Sequence, residues 1–136
     1  MIWERVIPSD GSAVRKSPFD SSRWPDVPDC YGWLSLDARG RWHIQKNPVS
    51  HAKLQNYLNQ NYQCDEKHRW YVQNGPQRVF VELDATPWIY RVSPNKPDAL
   101  ISHTGKTAGE VLGAFQDNKG NFLISAQLGF GKVDDR

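Results

Sequence analysis

Two turns far apart in the chain constrain its fold more than any other feature. Asp37-Ala38-Arg39-Gly40-Arg41-Trp42-His43-Ile44 and Asp117-Asn118-Lys119-Gly120-Asn121-Phe122-Leu123-Ile124 repeat Asp, a basic residue, Gly, an aromatic and Ile at the same spacing. The glycine supplies the left-handed residue that a three-residue hairpin turn needs. Each turn therefore joins two antiparallel strands: 33–37 with 41–45, and 111–116 with 121–125. Alternation puts Leu34, Leu36, Trp42 and Ile44 on one face of the first hairpin. The recurrence fits a partial internal repeat, or two hairpins that met the same turn requirement. Only twelve residues follow Ile124, so a repeat would lack a second copy of the helix that follows the first hairpin.

Between these hairpins the period changes. Asn47-Pro48 stops the strand, and Ser50 is placed to cap a helix over 51–61. His51, Leu54, Leu58 and Tyr62 fall on one stripe at spacings of three and four. A middle hairpin follows, 69–73 with 77–84, around Asn74-Gly75-Pro76. Strands are then expected at 88–92 and 99–103. The resulting fold class is α+β: mostly antiparallel β-hairpins, about seven to nine strands, with one main helix near 51–61. Residues 1–31 carry Pro8, Pro18, Pro25 and Pro28 and read as irregular, with a short edge strand at 2–7. Trp3, Phe19 and Trp24 point to a segment packed on the 32–136 core, so residues 1–136 are expected to form a single domain.

Composition narrows the class. Mean hydropathy is −0.70, yet the 136 residues include six Trp, five Tyr and five Phe. Aromatic rings must supply much of the core, at roughly 150–250 Å² each. The 17 Lys and Arg nearly balance 15 Asp and Glu, giving +2, so no strong field calls for nucleic acid or an anionic membrane. Cys30 and Cys64 form no close pair and read as free thiols of a reducing compartment. The start of the chain has no charged-then-apolar leader, and no apolar run reaches the ~20 residues of a membrane helix. A cytoplasmic, bacterial setting without membrane attachment is the expectation.

The stretch from Tyr31 to Val92 carries a resemblance. Gly32-Trp33-Leu34-Ser35-Leu36-Asp37, Gly40, Trp42, Val49-Ser50-His51, Trp70-Tyr71, Asn74-Gly75-Pro76-Gln77-Arg78-Val79, Val81-Glu82-Leu83-Asp84 and Thr86-Pro87 resemble uncharacterised proteobacterial proteins of unknown function. More distantly they are similar to the domain-of-unknown-function family 1285. That resemblance implies an α+β fold of repeated hairpin-plus-helix motifs, and a signalling or ligand-binding role. It implies no functional residues, and this chain departs from the pattern after Val92.

No catalytic, metal or nucleotide signature stands out. Gly105-Lys106-Thr107 mimics the end of a phosphate loop, but Leu100 occupies the place of its first glycine. Cys64 and His68 match no zinc spacing. No cofactor and no metal are expected. Trp33, Arg41, Trp42 and His43 interleave rings and basic groups as single-strand binders do, so weak single-stranded nucleic-acid binding is one alternative. A small enzyme of unknown reaction is another. The favoured expectation is a non-enzymatic small-ligand-binding or regulatory interaction module, with an anionic ligand or a protein as partner. Its candidate site gathers Asn74, Gln77 and Arg78 at the middle turn, His51 at the helix start and His103 at a strand end. Arginine offers a fork for carboxylate or phosphate, and amides at a helix start favour anions.

Overall fold

The computed structural model describes residues 27–96 and 98–134. The expected strand at 2–7, and the packing of Trp3, Phe19 and Trp24, lie outside them. The described residues form one helix and eleven strands: β1 (Asp29–Leu36), β2 (Trp42–Ile44), β3 (Asn47–Pro48), α1 (Ala52–Gln60), β4 (Tyr62–Cys64), β5 (Trp70–Asn74), β6 (Gln77–Leu83), β7 (Trp88–Val92), β8 (Leu100–Ser102), β9 (Val111–Gln116), β10 (Phe122–Ala126) and β11 (Phe130–Val133). This is an α+β fold with mostly antiparallel strands. The chain divides into two compact units, 27–35 with 42–82 and 36–41 with 83–134.

The first unit is built on a sheet of order β3-β2-β1-β6-β5-β4. Arg78 N–H donates to the Pro28 carbonyl at one end of β6 and Asp84 N–H to the Leu36 carbonyl at the other. Both strands advance together between these bonds, so β1 and β6 run parallel. Helix α1 covers one face. Its Leu58 is fully buried, as are Leu34, Val72 and Val79. Trp42, Tyr62 and Trp70 add an aromatic cluster, with ring centroids 5.2 Å apart for Trp42–Tyr62 and 4.9 Å for Tyr62–Trp70. Trp42 Nε1 donates to Asn59 Oδ1 at 2.7 Å, which ties the helix to the hairpin. The rings thus provide the buried area that the aliphatic residues lack.

Ser50 does not cap the helix. The N-cap position falls to His51, in extended geometry with no side-chain cap bond. Val49 N–H is held by the Trp42 carbonyl, and Gln55 Nε2 donates back to the Val49 carbonyl at 2.8 Å. These bonds keep the chain extended through Ser50 and start the helix later.

The second unit holds a sheet of order β8-β7-β11-β10-β9. Interior strand β7 buries Trp88, Ile89 and Tyr90, and pairs in parallel with the central strand β11, Gly131 opposite Trp88. A Cβ at Gly131 would lie 2.5 Å from the Tyr90 ring and 2.6 Å from the Trp88 carbonyl oxygen. Glycine is needed there for close approach. Tyr90 Oη closes the corner by donating to the Gly129 carbonyl at 2.9 Å.

The aspartate-led turn occurs more often than its glycine signature. In the turns 37–41, 65–69 and 117–121, the aspartate Oδ1 accepts the amides two and four residues on, at 2.8–2.9 Å. Its Oδ2 accepts the side chain of the fifth residue, Arg41, Arg69 or Asn121. Gly40 and Gly120 take positive φ as expected, at 81° and 85°, and His68 takes the same place at 63°. The turn 102–106 repeats the backbone pattern with serine for aspartate and Gly105 at φ 92°.

Candidate functional site

The β5–β6 hairpin positions three of the five candidate residues. Its register sets Asn74 opposite Gln77, Gln73 opposite Arg78, Val72 opposite Val79 and Tyr71 opposite Phe80. Opposed residues share a face, and successive ones alternate. Asn74 and Gln77 therefore project with Val72 and Val79 toward α1, and Arg78 projects with Tyr71 and Phe80 away from it.

Asn74 and Gln77 are both buried. Asn74 Nδ2 donates to Gln77 Oε1 at 3.4 Å, and Tyr57 Oη donates to Asn74 Oδ1 at 3.2 Å. Gln77 Nε2 donates to the Val27 carbonyl at 2.6 Å. Gln73 Nε2 spans the turn to the carbonyls of Gly75 and Gln77. These amides pin the helix, the turn and the entry to β1 together. Buried amides in such a network favour one arrangement of the hairpin.

Arg78 has a different setting. Its guanidinium carbon lies 4.9 Å from the centroid of the Tyr71 ring, and its fork makes no hydrogen bond or ion pair with any described residue. Tyr71 and Phe80 are 5.7 Å apart, and Phe80 in turn carries the Arg69 guanidinium at 4.8 Å. Tyr31, 60% exposed, stacks on Phe80 at 4.7 Å with the rings nearly parallel. Two guanidinium groups thus flank one aromatic pair, an arrangement that holds cations in place without consuming all their donors. Arg69 is the more committed. Its Nε donates to Asp65 Oδ2 at 2.8 Å and its Nη1 to Tyr31 Oη at 3.4 Å. The Asp65 hydrogen bond pushes its pKa up further. Burial acts to raise the Asp65 carboxyl, but hydrogen bonds from Arg69 and Lys67 outweigh it and hold the group below its usual range.

The histidines come from other elements. His51 is exposed at the start of α1. His103 belongs to the second unit. There Ile89 N–H donates to its Nδ1 at 3.3 Å, and its own backbone N–H donates to the Ile89 carbonyl at 2.8 Å. Its ring sits 5.8 Å from Trp88. Burial, with Arg91 adding repulsion, brings its pKa down to about 3, so it is a neutral acceptor at ordinary pH. The structure therefore joins Asn74 to Gln77 and sets Arg78 on the other face of the same hairpin, while His51 starts α1 and His103 belongs to the second unit. Sequence reasoning missed Tyr31, Arg69, Tyr71 and Phe80. Their signal was available: once β5 and β6 are paired, alternation places Tyr71 and Phe80 on the Arg78 face.

Both thiols are free, Cys30 buried and Cys64 half-buried. Burial pushes both up, and Asp65 pushes Cys64 further. A nucleophilic cysteine needs the opposite shift. Among the described residues, no cluster of three His, Cys, Asp or Glu side chains is placed to hold a metal ion. No helix among them is long and apolar enough to cross a membrane.

The fold groups this chain with α+β proteins of unknown function, in line with the resemblance carried by its sequence. A DUF1285 family protein from Shewanella baltica superimposes with a TM-score of 0.54 at 14% identity, covering 75% of this chain and 84% of that one. A DUF1285 family protein from Silicibacter pomeroyi gives 0.55 at 16% identity, covering 89% and 73%. No curated protein matches the sequence. The family model DUF2944, described as "Protein of unknown function (DUF2946)", matches residues 20–136, and the chain belongs to that family.

Proposed function

We propose that this protein is a non-enzymatic binding module that recognises an anionic group through Arg78. The supporting observation is the uncommitted guanidinium fork held over Tyr71, beside the Phe80–Tyr31 stack and the Arg69 charge. A fork fixed against a ring meets a carboxylate or phosphate with two parallel N–H bonds at little further entropic cost. Tyr31 offers an exposed face to a planar part of the same ligand. Asn74 and Gln77 hold the turn that presents Arg78, while His51 and His103 contribute nothing to the ligand. The free thiols fit a cytoplasmic location, where such thiols stay reduced.

A thermal-shift panel of carboxylates, inorganic phosphate, sugar phosphates and nucleotides tests the proposal on the full chain. A ligand at 100 times its dissociation constant adds about 2.7 kcal/mol. At least one anion should stabilise the wild type, and Arg78→Ala should abolish the shift without lowering the basal melting temperature by more than a few degrees. Silence across the panel, or a shift that survives Arg78→Ala, refutes it.

A further inference from the structure

Sheet edges expose unpaired backbone groups, and proteins blunt them with short strands, proline, charge or a covering segment. Among the described residues the two sheets have four edge strands. Edge strand β3 is two residues long and contains Pro48, and β4 has three residues. Edge strand β8 is covered by its own chain, through the Ile101–Thr107 bridge and the Ala108 N–H bond to the Leu100 carbonyl. Edge strand β9 differs. It is six residues long, Val111-Leu112-Gly113-Ala114-Phe115-Gln116, and carries no charge and no proline. Its apolar side chains are exposed: Val111 45%, Leu112 64% and Phe115 49%. Its one irregularity is a bulge at the Val111 end, where the register to β10 shifts between Ser125 and Ala126.

The outward backbone groups of β9 follow from its inner pairing. Asp117 N–H bonds to the Asn121 carbonyl of the turn. By alternation Phe115 and Gly113 also bond toward β10, and Gln116, Ala114 and Leu112 turn theirs outward. Positions 115 and 113 share one face, since their partners are Leu123 and Ser125. Among the described residues, nothing beyond its chain neighbours lies within 4 Å of where a Cβ on Gly113 would sit. A ring and an open position thus stand two residues apart on the same face, equidistant from Ala114.

We infer that β9 is the contact between two copies of this chain, paired antiparallel about a two-fold axis at Ala114. That register sets Ala114 opposite its own copy, Leu112 opposite Gln116, and Phe115 opposite Gly113, so each exposed ring covers the open glycine of the other copy. A two-fold interface must be self-complementary, and this strand is, in shape and in charge. With no charged residue in β9, the two copies bring no like charges face to face. An uncharged strand gives an acidic or basic partner nothing to recognise, which favours a second copy over a charged peptide. The Phe115–Phe130 stack, at 5.7 Å, extends the apolar surface inward from the pairing line. A six-residue pairing lies at the small end of specific interfaces, so a reversible dimer of roughly micromolar affinity follows.

Sedimentation velocity over a concentration series of the full chain should show a monomer–dimer equilibrium. Ala114→Pro removes one outward donor, at an edge where proline is tolerated, and should leave only monomer. Phe115→Glu, at an exposed position, should do the same by an independent route. In a Cys64→Ser background, Ala114→Cys should cross-link copies under mild oxidation, and Gly113→Cys, which faces Phe115 instead, should not. A chain that stays monomeric up to about 1 mM overturns the inference. So does a dimer that survives both variants, or cross-linking at Gly113→Cys but not at Ala114→Cys.

Discussion

Acid should destabilise the second unit through His103 well before Asp117, held low by Asn121, titrates. An unfolded histidine has a pKa near 6.5, and His103 in the folded chain is brought down to about 3. Between those values the unfolded state binds the extra proton, so stability falls as pH falls. A tenfold difference in proton affinity between the two states is worth about 1.4 kcal/mol. Going from pH 7 to pH 5 then costs about 2 kcal/mol, and the full window costs at most about 5 kcal/mol. Physically, protonation at Nδ1 breaks the bond from Ile89 N–H and places a cation in a closed site near Arg91. Asp65 and Asp117, held low by hydrogen bonds to Arg69 and Asn121, lose their contribution only at more acid pH. Urea melts at half-unit intervals from pH 7.5 to 4.5 measure the slope. His103→Asn, whose Oδ1 can accept the same Ile89 N–H, should flatten it. A wild-type profile that is flat over this range, or a slope that persists in His103→Asn, refutes the assignment.

Other substitutions test the packing. Gly131→Ala should destabilise by about 3 kcal/mol in urea, because the new methyl meets a backbone carbonyl that cannot swing aside; a loss under about 0.5 kcal/mol would mean that β7 and β11 sit further apart. Leu58→Ala removes the one fully buried side chain of α1 and should cost about 3 kcal/mol, as checked by denaturant midpoint. His68→Gly should stabilise by about 0.5–1 kcal/mol by relieving positive φ, while Gly120→Ala should cost about 1 kcal/mol at the equivalent place; equal effects of one sign would contradict the shared turn.

Local grammar made much of the fold legible. Strands at 88–92 and 111–116 were readable to the residue, because Pro, Asp and Gly punctuate them. The core face of Leu34, Leu36 and Trp42 followed from alternation alone. Long-range pairing was not legible. β4 is three residues after a helix, and Gly129 and Gly131, before and within β11, mimic a loop. Gly131 is in a strand because Tyr90 and Trp88 press against it, a contact that no local pattern encodes. The Asp65 turn was hidden because His68 stands where glycine signalled the other two. In the candidate site, the proximity of Asn74, Gln77 and Arg78 in sequence concealed that strand alternation sends Arg78 to the opposite face. The partners that matter to Arg78 come from three strands and a turn.

Anion binding at the proposed Arg78 fork is read directly in the arginine Nε–Hε region of the NMR spectrum while inorganic phosphate, and separately citrate, is added to the full chain. Saturable shifts of Arg78 and of the Tyr71, Phe80 and Tyr31 ring signals are expected, with smaller changes at Arg69. Unchanged Arg78 signals, or saturable shifts confined to other arginines, would contradict the proposed binding.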